Sequence, residues 1–507
     1  MELLKENLQV TETKACKKAL TACDTDLIVP DVKPDIIKIL QVDGAAFITS
    51  KEITDNVCKI NGKVKYTVFY LPDNSENALE AIHAEQDFSY KIDIGTTPCM
   101  LDVICDVDRI DFTLLNSRKL AIKTTISIFY SVMENKTLSI AYGIDYDCAE
   151  TIFEPVTAEN LQVMEECPFV VREHLDLPSG CPDISQILKL DVKVVNPEVK
   201  AITGKAVLKG DLQVSALYLD CDGAVNTISG EIPFTEVAEV FDLEEDCPCR
   251  ADYRIGDFTF EAGFDNAGEA TAVNFDVSVT AVISAYAHSE MQALTDCFCP
   301  STKSNMIYEH IDFENVLSTI TDRRTVKEII APPENAPEIS SVYNLFAKPL
   351  IQSAAPRNGM VCIEGTLEVY VSCITSAPQM PIYTFKHDIP LHLELEDALA
   401  RDGYNCIADI FVPSISFNLN MANEIELRSS LSVSAKLTAK KSIDVVSECQ
   451  LSEAETDSGI VIYFVQAGDS LWSIAKHYSV AICDLTEING IDEKDTLDIG
   501  KKLIIPV

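Results

Sequence analysis

The side chains best suited to chemistry in this 507-residue sequence are thiols, imidazoles and carboxylates set at short spacings. Two Cys-x-Cys pairs, Cys247/Cys249 and Cys297/Cys299, are the candidates for a four-thiolate zinc site, because thiolate sulfur is a preferred zinc ligand. Pro248 and Phe298 separate the paired thiols, a spacing unlike the usual two-residue knuckle, so zinc is not the expectation. His387 and His392 lie on either side of Asp388 with no evident third ligand. Asp35, Asp183 and Glu338 each follow a proline in a recurring segment. They are either a contact point used three times or acids supporting a helical turn that the proline opens; the second is favoured. The sequence has no Gly-x-Ser-x-Gly elbow, no phosphate-binding glycine loop and no His-Glu-x-x-His helix. Its many other carboxylates read as solvated surface. No catalytic residue, cofactor or metal is expected.

The recurring segment is the strongest organising signal. LIVPDVKPDIIKIL at Leu27–Leu40 returns as LDLPSGCPDISQIL at Leu175–Leu188 and, more loosely, as PPENAPEISSVY at Pro332–Tyr343. A glycine follows the first proline of each core by 32 residues: Pro30 to Gly62, Pro178 to Gly210, Pro333 to Gly365. One offset kept three times marks a tandem repeat of about 150 residues. Upstream, Glu6-Asn7-Leu8-Gln9-Val10 matches Glu159-Asn160-Leu161-Gln162-Val163, with Glu314-Asn315 in the third copy. Around each glycine, apolar residues alternate with polar ones, as in Ile60, Val64, Tyr66, Val68 and Tyr70. Leu208, Leu212, Val214, Ala216 and Tyr218 repeat the pattern, as do Ile363, Leu367, Val369, Val371 and Cys373. Period two in β-branched and aromatic residues predicts half-buried antiparallel strands.

The elements predict a mainly β chain: three tandem, sandwich-like antiparallel repeats at 1–155, 156–310 and 311–446, an acidic linker at 447–460, and a small βααβ domain at 461–507. In that last segment a strand at Ile462–Gln466 leads through Gly468-Asp469-Ser470 into helices at Leu471–Tyr478 and Ile482–Ile488. Asn489-Gly490 and a strand at Lys502–Ile505 close it. Ser470 or Asp469 is placed to cap the first helix.

The formal charge of −40 disfavours nucleic acid and anionic lipid as partners and leaves solubility or a basic partner as its meaning. The N-terminus lacks a basic stretch leading into an apolar one, and no run approaches a membrane span. Eighteen cysteines scattered through long apolar domains read as reduced, partly buried thiols of a cytosol.

The segment YFVQAGDSLWSIAKHYSV, then LTEING, then LDIGKKLIIP, resembles a LysM domain from end to end. The resemblance implies a βααβ fold that most often binds N-acetylglucosamine polymers. Its groove would be formed here by Gly468, Asp469, Ser470, Leu471 and Trp472 on one side and Asn489, Gly490, Ile491 and Asp492 on the other. Trp472, the only tryptophan, is the expected surface anchor, since large aromatics supply much of a contact's energy. The repeats resemble SPOCS domains through Val29-Pro30-Asp31-Val32-Lys33-Pro34-Asp35-Ile36, its second copy and the strands after the glycines. The third copy diverges, with Glu338 for aspartate. SPOCS repeats followed by one LysM domain is the arrangement of the SipL-like family of clostridial spore morphogenetic proteins. That resemblance implies a non-enzymatic mother-cell scaffold at the forespore surface, whose LysM domain binds stage IV sporulation protein A and which contacts other coat proteins. The alternative is a protein that grips peptidoglycan or N-acetylglucosamine polymers of the spore envelope. The layout further suggests that LysM hangs on a flexible linker and docks without disturbing the repeats.

Overall fold

The computed structural model describes residues 2–73, 75–95, 99–146, 148–300, 302–452, 459–492 and 496–506. The alternating runs form strands throughout the first 452 residues, and the strands fall into three sets of six. The first set is β1 (Glu2–Ile28), β2 (Ile36–Thr54), β3 (Val57–Pro72), β4 (Glu80–Asp93), β5 (Met100–Asn116) and β6 (Lys119–Asp145). The second is β7 (Glu150–Asp176), β8 (Ile184–Ile202), β9 (Lys205–Asp220), β10 (Val225–Glu239), β11 (Cys249–Phe264) and β12 (Ala270–Phe298). The third is β13 (Lys303–Ile330), β14 (Ile339–Arg357), β15 (Met360–Thr375), β16 (Ile382–Glu396), β17 (Asn405–Leu419) and β18 (Ile425–Ser452). Each set makes two three-stranded antiparallel sheets, ordered β1-β6-β5 and β2-β3-β4 in the first and likewise in the others. Inward residues of both sheets share one core, for instance Leu27, Ile60, Tyr66, Ile82, Val103 and Ile126. The first set ends at Asp145 and the second runs from Glu150 to Phe298, with the third starting at Lys303, so divisions at 155/156 and 310/311 fall inside β7 and β13. Strand β18 pairs through Ser452 with Lys303, so it occupies the start of the segment read as linker; 453–458 lie outside the described residues.

The recurring glycine has a packing cause. Gly62 pairs with Phe88 and Gly210 with Phe234 across the sheet. A Cβ on Gly62 would overlap the Phe88 ring and sit 2.8 Å from the Phe47 carbonyl oxygen, and one on Gly210 would lie 2.9 Å from the Phe234 ring. On Gly365 it would collide with the Leu350 carbonyl oxygen. The bare backbone leaves room for an aromatic ring or a bulged neighbouring strand to close over it.

The proline cores do not open helices. Lys33 N–H donates to the Pro30 carbonyl in a tight turn, and the chain then enters β2 directly. The Ile36 N–H bonds the Ser117 carbonyl and the Asp73 N–H bonds the Asp35 carbonyl, so cross-strand pairing captures the backbone that a helical turn would need. Asp35 accepts from Ser117 Oγ and Arg118 instead of capping a helix, and these bonds hold its carboxyl below the usual range. The Tyr70 hydroxyl donates to the Pro34 carbonyl at 3.1 Å and the Tyr218 hydroxyl to the Pro182 carbonyl at 3.2 Å. The third repeat has Cys373 at that position and lacks this bond.

The repeats pack around one another. Past the end of β5, strands β1 and β6 continue as a two-stranded ribbon, as do β7 with β12 and β13 with β18. The three ribbons share a core in which Leu8, Val156 and Ile311 take corresponding places, as do Val10, Ala158 and Phe313, and Ile140, Ala293 and Val445. A second shared core brings Phe69, Leu217 and Ile374 together with Leu188 and Tyr343. Bulges at Leu40, Leu188 and Tyr343 explain it, because a bulge turns a side chain from its own sandwich toward a neighbour. Bulges at Lys14, Gln162 and Leu317 fix the correspondence of the first strands. By that register Asn160 matches Asn315, whereas Asn7, paired with it by motif, lies five places out. Ion pairs seal the seams: Lys189 to Asp43 at 2.7 Å, Arg250 to Asp409 at 2.6 Å, Lys441 to Glu154 at 2.9 Å, and Arg254 to Asp102.

Candidate functional site

The C-terminal segment folds as β19 (Ile460–Phe464), α1 (Leu471–Tyr478), α2 (Ile482–Asn489) and β20 (Lys502–Pro506), with β19 and β20 antiparallel. Local chemistry sets each end. Ser470 caps α1 in a reciprocal box with Ser473, and Ser479 closes it at φ 53°. Gly490 closes α2 at φ 62°. Leu471, Ile474, Ala475, Leu485, Leu503 and Ile505 form the small core.

Most residues expected to line the groove hold this domain together. Asp469 accepts from the Gln466 N–H at 2.7 Å and the Tyr463 hydroxyl at 2.6 Å, which depress its carboxyl below the ordinary range. Asn489 donates to the Leu485 and Ile504 carbonyls and accepts from the Ile504 N–H, tying α2 to β20. Leu471 is buried, Ile491 packs partly buried against the same core, and Asp492 is exposed. Gly468, at φ +93°, and Gly490 are exposed and face open space.

Trp472 is held, not displayed. Its ring meets Phe298 of β12 edge-on at 5.0 Å between centroids, and its indole N–H donates to Asp296 Oδ2 at 2.7 Å. Asp296 also accepts from the Tyr308 hydroxyl at 2.6 Å, the Cys297 N–H at 2.9 Å and the Lys476 ammonium. Partial burial pushes the Asp296 carboxyl up, but the bonds from Lys476, Tyr308 and Trp472 outweigh it and leave it below the usual range. LysM therefore sits against the ribbon ends of the repeats, rather than hanging free of them. No sequence signal marked this seam, since Asp296 and Phe298 lie 176 and 174 positions before Trp472.

The other candidates are scattered. Cys247 rests on the Tyr286 carbonyl, while Cys297 is buried beside the Met306 sulfur in a different cluster. Burial pushes the Cys297 thiol up to about 12 and the Cys299 thiol to about 11. His387 and His392 lie on β16 five residues apart, an odd separation that turns them to opposite faces. Among the described residues no group of His, Cys, Asp or Glu is placed to hold a metal ion. Nor is any helix among them long and apolar enough to cross a membrane.

Residues 35–115 and 183–262 match the family described as SipL, SPOCS domain, and residues 463–506 match the LysM domain. The chain carries SPOCS domains of the SipL family and a C-terminal LysM domain. That combination is that of a SipL-like sporulation protein with a domain of the peptidoglycan-binding type. Neither family is enzymatic. Both SPOCS segments begin at the acid after the second proline, Asp35 and Asp183, and run through β2–β5 and β8–β11. The third repeat has the same strand order but lies outside the matched segments. No solved structure matches the chain.

Proposed function

We propose that the chain is a non-enzymatic scaffold of spore coat assembly. It acts in the mother-cell cytoplasm at the forespore surface and links coat proteins to the basement layer through LysM binding of stage IV sporulation protein A. The observation that favours a protein ligand is the state of the groove's polar side chains. Asp469 Oδ2, Ser470 Oγ and both ends of the Asn489 amide are engaged by the domain's own backbone and by Tyr463. Sugar recognition depends on a few free polar groups converging on the ligand. A compact body of three mutually packed repeats suits a scaffold, giving a stiff mount in place of an extended array.

Peptidoglycan or N-acetylglucosamine binding is the second reading. The exposed Gly468 and Gly490 favour it, since their open backbone is accessible to a glycan. The test is capture of stage IV sporulation protein A by the full chain and by the chain ending at Gly459. Capture by the first alone supports the scaffold reading. Capture by both moves the contact into the repeats and overturns the LysM role. Capture by neither, with retention on N-acetylglucosamine oligomers, establishes the second reading.

A further inference from the structure

The seam between LysM and the repeats has the marks of a built receptor. Phe298 is buried within the LysM core, so a side chain of β12 completes the packing of the other domain. Helix α2 has Ala481 at its N-cap, with no side-chain cap of its own. Glu150 of β7 supplies the missing acceptor, taking the Ile482 N–H at 3.2 Å. An acid at that place also meets the positive end of the helix. Asp296 accepts from two LysM donors, Trp472 and Lys476, and from Tyr308 of β13, so the second and third repeats both take part. The Lys476 ammonium lies 5.6 Å from the Tyr308 ring centre and 2.8 Å from its hydroxyl.

We propose that Glu150, Asp296, Phe298 and Tyr308 form an internal receptor that holds LysM closed with Trp472 partly covered, and that a ligand using the Trp472 side must displace it. The competition rests on the proposed binding role of LysM; the receptor does not. A ligand that binds only the released domain has its affinity reduced by the fraction of molecules that are open. The closed arrangement therefore sets a threshold, which a second contact to the repeats would lower.

The single tryptophan makes the receptor directly observable in the full-length protein. Asp296→Asn and the double variant Asp296→Asn/Glu150→Ala should shift Trp472 emission to the red and increase its quenching by acrylamide, with far-ultraviolet circular dichroism unchanged. Phe298→Ala gives an independent check. Emission and quenching equal to the parent in all three variants would overturn the receptor. The same proteins are then titrated with stage IV sporulation protein A and with N-acetylglucosamine oligomers. Release should tighten binding of whichever ligand the parent takes, on the order of tenfold. Equal affinity despite a released Trp472 overturns the competition and moves the contact away from the Trp472 side, the exposed residues Ile460, Ile462 and Phe464 of β19 being the next place to test. Weaker binding overturns it as well, because the docked domain is then the competent form. Failure of the proposed function looks different: capture by the chain ending at Gly459 equals the parent's, while the fluorescence response persists.

Discussion

LysM and the three-repeat body are specified over very different distances. In LysM the decisive contacts are local: Ser470 with Ser473, Asp469 with Gln466, Asn489 with Leu485. In the body they are remote: Glu2 pairs with Asp145, Lys189 meets Asp43, and Leu8, Val156 and Ile311 share a core. The contrast separates two ways of holding a fold. A short-range domain is set by caps and turns, each worth little. A long-range one rests on close packing, where a single misplaced atom is felt.

Gly365→Ala should have the largest effect. Its Cβ would meet the Leu350 carbonyl oxygen, a backbone atom with no rotamer to yield. Overpacking of this kind costs about 3 kcal/mol. Gly210→Ala should cost less, since the obstacle is mainly the Phe234 ring, which is able to turn. Urea denaturation of the two variants measures the order. A smaller loss for Gly365→Ala would show that the third repeat is loosely packed and weaken the contrast.

Lys189→Met tests the seam between the first two repeats. The ammonium lies 2.7 Å from Asp43 and 3.0 Å from Asp191, and the three side chains are largely buried. Its removal leaves two carboxylates facing each other. Breaking a fully buried pair costs 3–5 kcal/mol, and partial exposure here lowers the expectation to about 2 kcal/mol. Lys189→Met/Asp43→Asn should recover part of the loss. Full stability in Lys189→Met would mean that the apolar cores alone hold the repeats together.

The same contrast governs what was legible in the sequence. The LysM helices were readable almost to the residue, because Ser470 and Gly490 mark their ends locally. The sandwich strands were readable from period two, and the glycine offset pointed to a real packing constraint at Gly62 and Gly210. The assembly of the repeats was not readable. It depends on bulges at Leu40, Leu188 and Tyr343 that break the alternation, and a run such as Ile36–Leu40 does not say which residue turns outward. The proline cores misled for a related reason. Proline followed by an acid suits a helix start, but the cross-strand partners Ser117 and Asp73 claim that backbone. Trp472 was read as the surface anchor of the groove; that its ring meets Phe298, in another domain, has no local signal.

Ser470→Ala should cost LysM about 1 kcal/mol, the ordinary worth of an N-cap. The loss should appear as earlier exposure of Trp472 to acrylamide in a urea titration, with the main β transition unmoved. A simultaneous shift of both would join the two regions into one cooperative unit and erase the contrast.

Acid should loosen the seam last and least. Asp296 is held below the ordinary carboxylate range by Lys476, Tyr308 and Trp472, despite the opposing effect of its burial. A carboxyl freed from those donors titrates near about 4. The ionised form is therefore the one that docks. Its stabilisation is complete above the freed value and is lost as the pH falls through the lower, docked value. Quenching of Trp472 should stay level from neutral pH down to about 5 and rise only below the ordinary carboxylate range. Glu150 and Lys476 face the same seam, and Lys476 stays charged throughout, its ammonium favoured by Asp296 and Tyr308 against the cost of burial. Asp296→Asn should remove most of the acid step. An undiminished step in that variant would assign it to another group and reduce Asp296 to one acceptor among several.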